Sequence, residues 1–155
     1  MQKWKLIHKK LEDPITTSVL FIDPGPIISG WVLMENKNII NAGNNSINEI
    51  IYHVGNVDDL VIEMIQPYTN NSSLSWTMFS AGMLAGKLQH KRLIQAYRTR
   101  IKGYFNIPRG KNADSFIRQR CIDTYGKRKD VTKHAWQALG ISIPYYDKEL
   151  YTVCM

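Results

Sequence analysis

Cysteine is almost missing from this sequence. Cys121 and Cys154 are its two; the first falls in a helical pattern and the second beside the C-terminus. That excludes a disulfide framework and favours an intracellular, cytoplasmic protein. Long apolar runs are missing as well. None approaches the roughly 20 residues that span a bilayer, so no membrane partner is expected. Met1-Gln2-Lys3-Trp4-Lys5 begins basic without a following apolar segment, so no secretory leader is expected either. Internal repeats and linkers are absent. One domain is therefore expected over residues 1–155, with 1–15, ended by Asp13-Pro14, as a peripheral extension. Acidic residues are the scarce charge, 13 against 20 Lys and Arg, for a net +7. The shortage is local. Residues 1–86 carry 5 Lys/Arg and 8 Asp/Glu, a net −3, whereas residues 87–155 carry 15 and 5, a net +10. A uniformly basic surface need mean only solubility. A basic half beside an acidic half suits a polyphosphate partner, DNA or RNA.

What is present is concentrated in a few residues. Ser18-Val19-Leu20-Phe21-Ile22 ends in Asp23, and Leu60-Val61-Ile62 ends in Glu63. Short runs rich in β-branched and aromatic residues read as buried strands. A carboxylate closing a buried strand is costly unless its charge is compensated. Two of them on neighbouring strands would make a site for a divalent cation, and so for phosphodiester chemistry.

The remaining elements follow from local chemistry. Strands are expected at Thr17–Asp23, Ile28–Met34, near Ile39–Asn41, at Leu60–Met64 and near Arg92–Tyr97, with Glu35-Asn36-Lys37-Asn38 as a hairpin turn. Ser46 caps a helix carrying Ile47, Ile50, Ile51 and Val54 at helical spacing. A second helix runs from about Ser73 to Leu88, rich in small residues. Gly103–Lys111 is expected as a basic loop. Asn112 or Asp114 caps a third helix, and Thr132 caps a fourth that runs to about Ser142. Ile143–Met155 is an apolar tail left unassigned. The order is three strands in hairpins, then helix, strand, helix, strand, helix, helix, in one α/β domain.

Asp on the first strand and Glu on the fourth is the ribonuclease-H-like arrangement. It implies a five-stranded mixed sheet, three antiparallel strands followed by parallel ones, flanked by helices. Ile22-Asp23-Pro24-Gly25 followed by Gly30-Trp31 resembles the opening motif of the RuvC family of Holliday-junction resolvases, and Val61-Ile62-Glu63 resembles its second acidic motif. Arg100-Ile101-Lys102 to Gly110-Lys111-Asn112-Ala113-Asp114, then Ile117-Arg118-Gln119, is similar to the basic segment and helix of its bacteriophage members. His134-Ala135-Trp136-Gln137-Ala138-Leu139 resembles the last-helix motif. The likeness spans about residues 17–142. It implies a phage-encoded, Mg²⁺-dependent endonuclease, with Mn²⁺ able to substitute. Such an enzyme cuts four-way DNA junctions by paired symmetric nicks, acts as a homodimer, and works in the host cytoplasm.

The resemblance assigns roles residue by residue. Asp23, Glu63 and His134 become metal ligands and catalytic residues. Lys102, Arg109, Lys111 and Arg118 fall where the family contacts phosphates. Tyr68 and Trp76 flank the loop after Glu63, where an aromatic can stack on an unpaired base; Trp76 equally suits a core. Leu74, Met78 and Met83 offer a dimer face. The last motif departs from the family, which places two ligands three residues apart. Here these are His134 and the uncharged Gln137, a poor ligand. Asp130, four residues before His134, is a substitute if both share a helix face. Otherwise it is a solvated charge beside Lys127-Arg128-Lys129. Rival functions are a nuclease for other branched DNA or RNA, and a junction-binding protein whose site no longer cuts.

Overall fold

The computed structural model describes residues 7–10, 18–64 and 72–154. The five expected strands are present as β2 (Ser18–Asp23), β3 (Ser29–Glu35), β4 (Asn38–Asn45), β5 (Val57–Met64) and β6 (His90–Tyr97). They lie in the order β6-β5-β2-β3-β4. β2, β3 and β4 are antiparallel, while β5 runs parallel to both β2 and β6. This is the mixed ribonuclease-H-like sheet. The β3–β4 turn holds Asn36 and Lys37 at φ of 49° and 66°, the left-handed pair that a two-residue hairpin requires.

The sheet extends beyond the expected strands. β1 (Ile7–Lys10) pairs with β7 (Tyr151–Cys154), and β7 pairs with β6, so the sheet has 7 strands. The extension expected over 1–15 thus supplies an edge strand. The unassigned tail supplies the strand beside it.

Among the described residues, five helices flank the sheet: α1 (Ile47–Val54), α2 (Ser72–Lys87), α3 (Arg98–Tyr104), α4 (Ala113–Tyr125) and α5 (Ala135–Tyr146). Ser46 caps α1 by accepting from the Glu49 amide. Asn112 caps α4, accepting from the amides of Asp114 and Ser115. Two expectations are corrected. Gly103 and Tyr104, expected in the basic loop, are the end of helix α3, which is pinned by buried Ile101 and carries Lys102. Thr132 is not the cap of α5: Lys133 adopts φ 49°, which breaks the helical path, and α5 starts only after His134.

β2 shows why its sequence is apolar without alternation. Val19 and Phe21 face one core with α3, α4 and α5; Leu20 and Ile22 face another with Ile50 of α1 and Ala81, Leu84 and Leu88 of α2. A strand covered on both faces has no polar side. Successive residues alternate faces, so Asp23 continues the row of Val19 and Phe21 toward α5. In β5, Glu63 likewise continues Val61.

α5 is buried around nearly its whole girth, from Ala135 to Tyr145. It packs closely on α4 at Gly140, where an added Cβ would meet the Ile117 side chain. Its far end is tied to the sheet by polar contacts. Fully buried Asp59 accepts from Arg92 Nε at 2.8 Å and Nη2 at 2.6 Å, and from the Tyr145 hydroxyl at 2.5 Å.

Candidate metal centre and nucleic-acid face

Two parallel strands end side by side here. Ile22 pairs in register with Ile62, so the next residues, Asp23 and Glu63, are neighbours at the C-terminal edge of the sheet. Both are nearly sealed from water, at 9% and 4% exposure. The two carboxyls interact, so the pair holds a proton more readily than isolated carboxyls do. Burial pushes the Glu63 carboxyl up to about 8, and the adjacent Asp23 charge adds to this. Burial also raises Asp23, to about 6, against the opposing pull of the Arg98 guanidinium. Two carboxyls that interact so closely form one titrating unit.

Arg98 is the residue the sequence did not disclose. It follows β6, whose register sets Met64 opposite Tyr97. Its Nη1 donates to Glu63 Oε1 at 3.2 Å and its Nη2 to Asp114 Oδ1 at 2.8 Å. Asp114, expected only as a possible cap, therefore belongs to the rim of the site. The available signal was a basic residue immediately after a strand parallel to Glu63's own.

The third side is the start of α5. His134 Nδ1 lies 3.3 Å from Asp23 Oδ2, with the imidazole 66% exposed. Gly30, paired with Asp23 across β3, makes that approach possible. A Cβ there would run into the His134 carbonyl group and stand 2.6 Å from the Ala135 nitrogen. Asn44 of β4 fixes the same turn. Its amide nitrogen donates to the Thr132 carbonyl at 2.9 Å, and its oxygen accepts from the Ala135 amide at 3.2 Å.

Gln137 is held by α4. It is 7% exposed, and its Nε2 donates to the Asp114 backbone carbonyl at 3.1 Å, joining α5 to the first turn of α4. Asp130 is not a substitute ligand on a shared helix face, because it lies in the loop before α5. Both its oxygens are engaged by Arg128, at 3.0 and 2.9 Å, which holds its carboxyl below the usual range.

Among the described residues, no three His, Cys, Asp or Glu side chains converge on a single point. The pairwise chemistry still fits a divalent cation. Asp23 and Glu63 are hard oxygen donors, adjacent and buried, with Arg98 on one side and an imidazole at the edge.

Lys102, Arg109, Lys111 and Arg118 are all exposed, on α3, the loop after it and α4. Arg118 lies over the Trp136 ring, 5.6 Å from its centroid. A cleft of about 450 Å³ opens beside His134 and Asp114, walled by Arg118 and by Lys127 to Lys133. Trp76 is not a core residue. It is 61% exposed on α2 and packs edge-on against exposed Phe79. Tyr68 lies outside the described residues.

Comparison with known proteins gives one kind of match. No family model and no curated protein matches the sequence. Among solved structures, Thermus thermophilus RuvC in complex with Holliday junction substrate superposes with a TM-score of 0.62. It is 13% identical, with 88% of this chain and 99% of that chain covered. A second Thermus thermophilus RuvC structure gives 0.60 at the same identity and coverage. The chain has the RuvC-like fold.

Proposed function

We propose that this chain is a divalent-metal-dependent endonuclease that resolves four-way DNA junctions by paired nicks. The observation that carries this is the buried Asp23–Glu63 pair at adjacent strand ends, beside a strongly basic face. The fold shared with a RuvC solved on a Holliday junction supports the substrate class. Asp23 and Glu63 would hold the ion, Mg²⁺ or in its place Mn²⁺, with His134 at the open side. Bound there, such an ion would supply an activated water and charge stabilisation at the leaving 3′ oxygen. The chain's own residues do the rest. To hold such an ion, Asp23 and Glu63 would both have to be ionised, without the proton that their raised carboxyls favour. Arg98 balances part of their charge. His134, mostly in water, is placed to carry a proton beside Asp23. Lys102, Arg109, Lys111 and Arg118 hold backbone phosphates without reading sequence.

Two symmetric cuts require two copies of the site. Exposed Trp76, Met78 and Phe79 on α2, with exposed Ile27 and Ile28 in the β2–β3 loop, support a homodimer through that face. Ser80 Oγ donates to the Pro26 carbonyl at 3.4 Å and holds the two segments together.

One observation favours a second reading, a junction-binding protein that does not cut. Gln137 is uncharged and Arg98 already balances Glu63, so the site carries little negative charge. A labelled four-way junction with Mg²⁺, treated with native chain and with Asp23→Asn, separates the two. Paired nicks lost in the variant while binding persists support the nuclease. Binding without nicks in Mg²⁺ or Mn²⁺ supports the binding protein.

A further inference from the structure

The cleft beside the carboxylate pair has an unusual charge balance. Its walls carry Arg118, Lys127, Arg128, Lys129 and Lys133 against a single acid, Asp114. Asp114 is already held by Arg98, and Arg128 by Asp130. Among the described residues, no carboxylate pairs with Arg118, Lys127, Lys129 or Lys133, which leaves four cations facing one concave surface. Like charges so gathered repel one another, and an anion between them relieves it.

The cleft is also built rather than loose. Gly126 and Lys133, both in the left-handed region at φ 81° and 49°, bound the loop that forms its wall. For a lysine that backbone is uncommon, and it persists only where the surroundings impose it. Asn44 imposes it here by gripping the Thr132 carbonyl and the Ala135 amide on either side. Trp136 forms the floor, but it is 4% exposed with Arg118 across its face, so no base can stack on it. Lysines are point charges that suit phosphate oxygens. His134 belongs both to the cleft wall and to the contact with Asp23, so the cleft opens straight off the carboxylate pair.

We infer that the α4–α5 loop, through Lys127, Lys129 and Lys133 with Arg118 opposite, is a phosphate subsite for the strand being cut, gripping phosphates next to the scissile one. The inference rests on the nuclease reading for the identity of its ligand. It adds an element that the family-like motifs do not contain, since those motifs stop at Gln119 and resume at His134. The loop fixes the strand's path past Asp23, and the α4–α5 loop becomes a determinant of register.

The test is binding of a labelled four-way DNA junction without Mg²⁺, followed by fluorescence anisotropy at several salt concentrations. The native chain is compared with Lys127→Gln/Lys129→Gln/Lys133→Gln. A charge control, Lys87→Gln/Lys91→Gln, sits at the opposite end of the sheet. Each phosphate contact contributes about 0.9 to the slope of log K against log salt, or about 8-fold in affinity at 0.1 M salt. Loss of two to three contacts lowers the slope by about 2 to 3 and weakens binding by more than tenfold, with the control unchanged. A second arm uses junctions carrying one uncharged methylphosphonate within three positions of the nick. It weakens native binding at one or two positions and leaves the loop variant unaffected there. If the triple variant binds like the control, or the methylphosphonate penalties persist in it, the subsite is refuted while the nuclease reading stands. If the native chain binds no junction, both fall. The replaced lysines are exposed, so the variant's melting temperature should match the native one and exclude misfolding.

Discussion

Replacing Gly30 with alanine adds one methyl group where the sheet meets the start of α5. The new Cβ would stand 2.6 Å from the Ala135 nitrogen and closer still to the His134 carbonyl group. Ordinary contact lies near 3.5–4.0 Å, so the overlap is about 1 Å. It falls on backbone, which cannot swing aside as a side chain can. Overpacking of this kind costs about 1–3 kcal/mol. Displacing the turn also strains the Asn44 hydrogen bonds, at about 1 kcal/mol. A loss of about 3 kcal/mol in a chain of this size lowers the melting temperature by roughly 6–12 °C. Moving His134 off its 3.3 Å contact with Asp23 should also depress junction nicking at temperatures where the variant stays folded. The control is Gly82→Ala on α2, where an added Cβ meets nothing within 4 Å. There the helix gains about 0.5–1 kcal/mol. Thermal melts by circular dichroism, with nicking assays below the transition, measure both. A Gly30→Ala chain that melts within about 2 °C of native, with nicking intact, refutes the close approach on which the site's geometry depends.

Both carboxyls of the central pair sit above their ordinary range, Asp23 at about 6 and Glu63 at about 8, so the folded chain holds protons that the unfolded chain has released. The metal-free protein should therefore lose stability as pH rises from about 4 to about 8, and added Mg²⁺, which would bind the ionised pair, should flatten that decline. Glu49 and Asp130, whose carboxyls are held low, act at or below the lower edge of this window; melts with and without Mg²⁺ measure the slope, and a metal-free slope of the opposite sign contradicts the raised pair. Glu63→Gln should melt higher than native at pH 8 without metal and fail to nick, because it removes the repulsion and the ligand together; a lower melting temperature would count against it. Gln137→Glu should not accelerate nicking and should destabilise by about 1–3 kcal/mol, since a carboxylate would face the Asp114 carbonyl in place of a donor. Urea denaturation and nicking rates check this, and a faster, equally stable variant would show that Gln137 does face the metal centre.

The features legible in the sequence were those decided by near neighbours. β2 and its terminal Asp23 could be read because an apolar run buried on both faces ends in an acid. The β3–β4 hairpin could be read because Asn36 sits where a left-handed backbone is needed. Glu63 was legible for the same local reason as Asp23. Features decided across the fold were not legible. Arg98 meets Glu63 from 35 residues away, and the first amide of α5 is capped by Asn44 from 91 residues away. Local capping rules therefore pointed to Thr132, and whether Asp130 shares a helix face with His134 depended on a helix start that is set across the fold. α3 escaped because it is short and has one buried residue, Ile101, with no side-chain cap. Gln137 looked like a lost ligand in the motif; its burial against α4 is a property of helix packing.

The Asp59–Arg92–Tyr145 cluster also governs how the molecule comes apart. If α5 left while the sheet persisted, buried Asp59 would lose the Tyr145 hydroxyl and keep its bonds from Arg92, one charge-assisted hydrogen bond fewer in the interior. That loss raises the cost of α5 peeling away as a separate unit. Its amides should exchange with deuterium only when the whole sheet opens, with the slow kinetics of β5. α1, which buries only Ile50, should exchange through local opening. The helix that carries His134 to Asp23 thus belongs to the same cooperative unit as the strands that carry the carboxylates, and the centre persists or disappears as a whole.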